Sequence, residues 1–189
     1  MLPRSYPDQH CSIAATLELI GDRWTLLLIR EAFLGTRRFD ELQRNLGLSR
    51  TVLTERLGRL VENGLLERVC YQHHPERHEY RLTERGRDLW PALVALCFFG
   101  DRHLMAGKPP VIWRHRDCGG ELSDRRVCER CGAELDSGDV EPWAGPGALP
   151  HTKAWLEQRR NSPDGSPNEP ARAPLPPPPF RREPVEESR

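Results

Sequence analysis

The stretch at 36–87, TRRFDELQRNLGLSRTVLTERLGRLVENGLLERVCYQHHPERHEYRLTERGR, decides the fold. Phe39, Leu42 and Leu46 fall at helical spacing with Asp40, Glu41, Gln43 and Arg44 between them, which predicts a short amphipathic helix over 39–45. Gly47 ends it. Ser49 is a good N-cap for the next helix, because its hydroxyl can accept from backbone donors that the first turn leaves unpaired. Three residues on stands Val52, so there is no capping box. From 49 to 63 a helical wheel places Leu53, Leu57, Leu60 and Val61 on one face and Thr51, Glu55, Gly58 and Glu62 opposite, with Thr54 and Arg59 on the flanks. Asn63-Gly64 stops this helix. Two strands, 65–71 and 79–83, then flank a polar stretch at 72–78.

A pair of short helices is by itself a common packing unit. The hairpin that follows adds weight to a nucleic-acid reading: its polar tip carries Arg77 and three histidines, His73, His74 and His78. Such a wing can lie along a phosphate backbone and reach into the minor groove; the plainer alternative is a solvated loop. The expected fold is therefore mainly α with a small β-hairpin, a winged helix-turn-helix. In that geometry the start of the second helix meets base edges. Arg50, Thr51, Thr54 and Glu55 are the residues expected there, with arginine suited to guanine, threonine to a thymine methyl and glutamate to a cytosine amine, and Ser49 at the helix start counts with them among the DNA-binding residues. Arg56 and Arg59 are expected at phosphates and Arg77 at the wing's DNA contact. Arg56 borders the apolar stripe, so an internal ion pair is its alternative role, and Glu55 could be a solvated helix charge.

Three segments carry a resemblance: CSIAATLELIGDRWTLLLIREAF at 11–33, RFDELQRNLGLSRTVLTERLGRLVENGLLER at 38–68 and HEYRLTERGRDL at 78–89. In this order they resemble the HxlR-type winged helix-turn-helix transcriptional regulators, relatives of the MarR regulators. The resemblance covers 10–105 and nothing beyond 106. It implies an obligate homodimer on a roughly palindromic, promoter-proximal operator of double-stranded DNA. Some members of that family sense oxidants or electrophiles through a cysteine just before the first helix, the place Cys11 occupies here. This makes Cys11 a candidate redox sensor and a small-molecule or redox signal the expected effector; a merely tolerated thiol is the alternative.

Around the reading stretch, 12–20 predicts a first helix ended by Gly21, and 24–34 a second whose run Leu26, Leu27, Leu28, Ile29 belongs at the domain centre. Thr83 is expected to cap one long helix reaching Met105, with Leu89, Leu93, Leu96, Gly100 and Leu104 in a stripe. A domain over 11–106, after an N-terminal arm at 1–10, cannot cover both terminal helices alone. Either a two-fold partner or the C-terminal appendage must do so.

The appendage has its own signature. His115-x-x-Cys118, nine residues, then Cys128-x-x-Cys131 gives four ligands in two pairs, the spacing of a structural zinc site. The halves repeat, HRDCGGEL at 115–122 against CERCGAEL at 128–135, with a glycine after each second ligand. Four side chains closing a tetrahedron leave no open position for substrate, so zinc here is structural; a Cys128/Cys131 redox pair is the competing reading. A zinc-ribbon-like module over 109–141 is expected, then a linker over 142–160 with a short helix at 152–160. The tail, 161–189, holds nine of the 18 prolines and is expected to be disordered with polyproline II character.

Charge over the whole chain is balanced, 28 basic against 28 acidic residues. Between 37 and 87 there are 11 arginines against eight acids, so DNA affinity must come from a few placed arginines rather than a diffuse field. No apolar run approaches the ~18 residues of a membrane span, and no signal peptide is evident, which predicts a cytoplasmic protein. Six cysteines there read as ligands or free thiols; Cys70 and Cys97 read as core or interface residues. No nucleophile and base share a motif, which argues against an enzyme. The sequence thus favours a DNA-binding regulator, with a protein-interaction scaffold of the transcription machinery as the alternative.

Overall fold

The computed structural model describes residues 11–160; the arm at 1–10 and the proline-rich tail at 161–189 lie outside the described residues. Helix α1 (Ser12–Ile20) starts at Cys11, whose sulfur accepts from the Ala14 amide at 3.3 Å. Helix α2 (Arg23–Phe33) is capped by Asp22, accepting from the Trp24 amide at 2.9 Å. Its Leu28 and Ile29 are completely buried, as their position in the apolar run requires. Helix α3 (Phe39–Leu46) ends where Gly47 adopts φ 64°, a left-handed conformation that suits glycine.

Helix α4 (Arg50–Glu62) begins at Ser49, whose hydroxyl accepts from the Val52 amide at 3.4 Å. At its end, Gly64 has φ 66°, and the Leu65 and Gly64 amides turn back to the Leu60 and Val61 carbonyls at 2.9 Å each. That pair of bonds is the Schellman closure, and it delivers the chain directly into the wing. Strands β1 (Leu66–His73) and β2 (Glu76–Leu82) form an antiparallel hairpin. The polar stretch expected as a loop over 72–78 is instead mostly strand: His73 pairs with Glu76, and only His74 and Pro75 make the turn. Cross-strand pairing extends to the tip, overriding the weak strand propensity of these polar residues. Arg38, just before α3, bridges to Glu79 and adds a third short edge to the sheet.

The single long helix expected from Thr83 is two. Thr83 caps the one-turn α5 (Glu84–Arg87), and α6 (Trp90–His103) starts afresh with Pro91 in its first turn. Proline lacks the amide that would bond back to the preceding turn but suits the first turn of a helix, so a new helix starts at Trp90-Pro91. The restart aims Trp90, Leu93 and Val94 into the core and leaves Leu96, Phe99 and Leu104 exposed.

Beyond α6, β3 (Val111–His115) pairs with β4 (Val140–Ala144). The boundary expected at 141 falls inside β4, so the ribbon module continues to Ala144. Trp113 on β3 meets Trp90 edge-on at 5.0 Å, and Trp90 in turn meets Phe33 at 5.2 Å. One hydrophobic core therefore runs from Leu28, Leu53 and Leu57 through Trp90 into Leu122, Leu135 and Val140 of the ribbon. Helix α7 (Pro150–Arg160) contains the short helix expected at 152–160 and folds back with Leu156 buried, and Leu156 lines a cleft together with Phe33, Leu34, Val140 and Pro142. Arg159 donates to the Gly35 carbonyl, and Arg160 lies 3.8 Å from the Trp143 ring centre. Burial lowers the pKa of the Arg159 guanidinium, partly offset by Glu41 and Glu31. The appendage thus covers one flank of the winged helix. Ile13 (72% exposed), Leu17, Leu96, Phe99 (59%), Leu104 and Met105 remain open to solvent.

Candidate nucleic-acid interface and metal centre

A buried carboxylate ties α2 to α3. Glu31 of α2, 4% exposed, accepts from Thr36 at 3.0 Å, from Asn45 of α3 at 2.8 Å and from Arg30 at 2.8 Å. Three donors satisfy a charge that would otherwise be costly to bury. Sequence reasoning missed this residue, although a lone glutamate in the most apolar helix was a visible signal.

Ser49, Arg50, Thr51, Thr54, Glu55 and Arg59 are all exposed on the first turns and outer face of α4. The Arg50 guanidinium stacks 5.2 Å from the ring centre of Phe39 on α3. Arg56 is different: its side chain is 19% exposed, and the guanidinium meets Asp22 at 3.3 Å and Glu55 at 3.7 Å. It ties α4 to the N-cap of α2. Arg77 is exposed near the wing tip, opposite Gln72. Arg38, not singled out from the sequence, lies 5.0 Å from the ring centre of Tyr71 at the wing's base. Several arginines of the local excess are consumed internally. Arg85 donates to the Asn63 carbonyl at 2.7 Å, Arg87 to that of Leu82 at 2.9 Å, and Arg81 pairs with Glu79.

In the ribbon, His115, Cys118, Cys128 and Cys131 converge, with all four ligand atoms within 4.8 Å of one another. His115 Nδ1 lies 3.2 Å from the Cys118 sulfur and 3.3 Å from that of Cys131, and the Cys118 and Cys128 sulfurs are 3.4 Å apart. A tetrahedron drawn with ordinary zinc–sulfur and zinc–nitrogen bonds has edges of about 3.5–3.8 Å, so the set needs little adjustment. The two glycines after the second ligands, Gly119 and Gly132, have φ 72° and 75°, as the sequence repeat implies. Burial pushes the Cys128 thiol up, but backbone amides of Cys131 and Arg130 and the neighbouring thiols outweigh it and pull its pKa down to about 6. At Cys118 the Gly120 amide pulls downward, yet burial and the Cys128 and Cys131 thiols leave it raised. The far ring nitrogen of His115 faces the exposed Asp117 carboxylate at 3.6 Å, too far for a hydrogen bond. Three sulfurs, one imidazole and turned-in amides are a donor set that fits zinc.

A helix-turn-helix with a two-stranded wing, its reading helix exposed, defines a winged-helix DNA-binding protein. A family model described as HxlR-like helix-turn-helix matches residues 19–108. The chain is 52% identical over 137 residues to the uncharacterised HTH-type transcriptional regulator Rv3095 of Mycobacterium tuberculosis, covering 72% of this chain and 87% of that one. It is 40% identical over 91 residues to the HTH-type regulator sll1512 of Synechocystis, covering 48% and 67%. Among solved structures, PA1607, a candidate transcription factor, superposes with a TM-score of 0.57 at 37% identity, covering 70% of this chain and 93% of that one. The chain belongs to the HxlR-type winged helix-turn-helix transcriptional regulators; it is not an enzyme. A 137-residue match within 189 residues must take in 115–131, so the likeness to Rv3095 extends through the ribbon's ligand segment. Among the described residues no helix is long and apolar enough to cross a membrane.

Proposed function

We propose that this transcriptional regulator binds a promoter-proximal operator in double-stranded DNA as a homodimer, with Arg50, Thr51, Thr54 and Glu55 reading bases and Arg77 gripping the backbone from the wing. The observation that carries this reading is the exposed start of α4, where Ser49, Arg50, Thr51, Thr54 and Glu55 stand clear of the core. Arg59 is positioned for a phosphate. Arg56 is assigned to structure, since Asp22 already holds it. Exposed apolar side chains on α1 and α6 supply a two-fold interface, which a palindromic operator would match.

Zinc held by His115, Cys118, Cys128 and Cys131 would supply folding free energy to a module with little core of its own. Cys11, exposed at the start of α1, is the candidate redox or electrophile sensor. Oxidation there would alter the cap of a helix whose apolar side chains we assign to the dimer. Selecting genomic fragments with the purified full-length protein, then titrating the best by fluorescence anisotropy, tests the main reading. Saturable, sequence-dependent binding is expected. No preference over scrambled DNA at low salt would overturn it and favour a protein-binding scaffold.

A further inference from the structure

The wing holds a second cluster of metal-ligating side chains. Cys70, Glu76 and His78 bring a sulfur, a carboxylate oxygen and an imidazole nitrogen within 4.8 Å of one another. His73 Nδ1 lies 3.6 Å from the same sulfur. A fault in the strand register makes this possible. Cys70 pairs with His78 and His73 with Glu76, while the register slips by one residue between Cys70 and Gln72. In an unbroken strand, residues three apart point to opposite faces; one extra residue reverses that alternation. The bulge at Tyr71 therefore brings Cys70 and His73 to the face that Glu76 and His78 share.

The hydrogen bonds around His78 describe how it is held ready. Arg68 lies 2.9 Å from His78 Nδ1, and because arginine only donates, Nδ1 accepts; the other ring nitrogen then donates to Glu76 at 2.9 Å. A cation can replace that proton between His78 and Glu76, beside the Cys70 sulfur. Arg68 is exposed and free to swing away when the imidazole tautomer reverses.

We propose that the wing carries a second, solvent-facing site for a divalent transition metal of the zinc class, formed by Cys70, His73, Glu76 and His78. The mixed sulfur, nitrogen and oxygen set suits zinc, cobalt, nickel or copper rather than magnesium or calcium. Unlike the ribbon's four-ligand set, it lies at the protein's surface, next to Arg77. This site is independent of the DNA-binding reading.

Titration of the reduced, zinc-loaded full-length protein with Co(II), followed by visible absorption, tests it. The readout is the difference between the parent and Cys70→Ser, so it does not depend on how much metal the ribbon retains. The parent is expected to take up one more equivalent than Cys70→Ser, with a thiolate-to-cobalt band that the variant lacks. His78→Gln should weaken that equivalent by about tenfold or more. Arg68→Ala, which removes a competing cation, should tighten it. Circular dichroism matching the parent confirms that each variant is folded. Equal stoichiometry and spectra in parent, Cys70→Ser and His78→Gln would overturn the proposal.

Discussion

Arg50 shows how a residue's role depends on its neighbours. Stacked on Phe39, its guanidinium is partly ordered before DNA arrives, which lowers the entropy lost on contact with a base. Arg50→Ala should cost about 1–3 kcal/mol at the operator and relax selectivity at one base pair, read by anisotropy against single-base variants. Arg77→Ala should weaken binding to all sequences and reduce the salt slope by about 1. Arg56→Ala should instead lower the thermal midpoint, because the Asp22 pair joins α4 to α2, and leave base preference intact. Unchanged melting with lost DNA affinity would reverse that assignment. The residue types were legible in the sequence; which arginines are free was not. Arg81 pairs with Glu79 on its own strand, whereas Arg85 reaches back to the Asn63 carbonyl and Arg87 to that of Leu82, partners that helix or strand periodicity does not indicate.

At the scale of elements, helix caps were readable because they are local. Ser49, Gly47 and Gly64 act within a few residues of where they stand. The wing was misjudged in length, since strand pairing to the tip depends on the partner strand. The break between α5 and α6 was marked by Pro91, yet its consequence, Trp90 against Trp113, is tertiary. This contact makes a prediction about the ribbon. Removing metal with a strong chelator, or substituting Cys131→Ser, should loosen β3 and expose Trp113. Tryptophan emission should shift to the red, and the thermal midpoint of the winged helix should fall with it. An unaltered melt after demonstrated metal loss would mean that the ribbon is not coupled to the DNA-binding core.

Across the whole molecule, the appendage covers one part of the surface and leaves an apolar part on α1 and α6 exposed. The ribbon and α7 fold back over Phe33, Leu34 and Trp90, while Ile13, Leu17, Leu96 and Phe99 stay exposed. Charge introduced by Leu17→Glu or Phe99→Asp should shift the protein from dimer to monomer in sedimentation analysis and cost little in folding, since neither side chain is in the core. A dimer that survives both changes would place the interface elsewhere. By itself the sequence determined the order of helices and wing, the caps, the family and the spacing of the ribbon's four candidate ligands, because periodicity, turn residues and ligand spacing act over short separations. Only the tertiary structure decided that the ribbon shares the domain's core, that Glu31 joins α2 to α3, that Arg56 faces inward and that Cys70 meets Glu76 and His78. Each of these joins residues through packing or strand register, which sequence spacing does not encode.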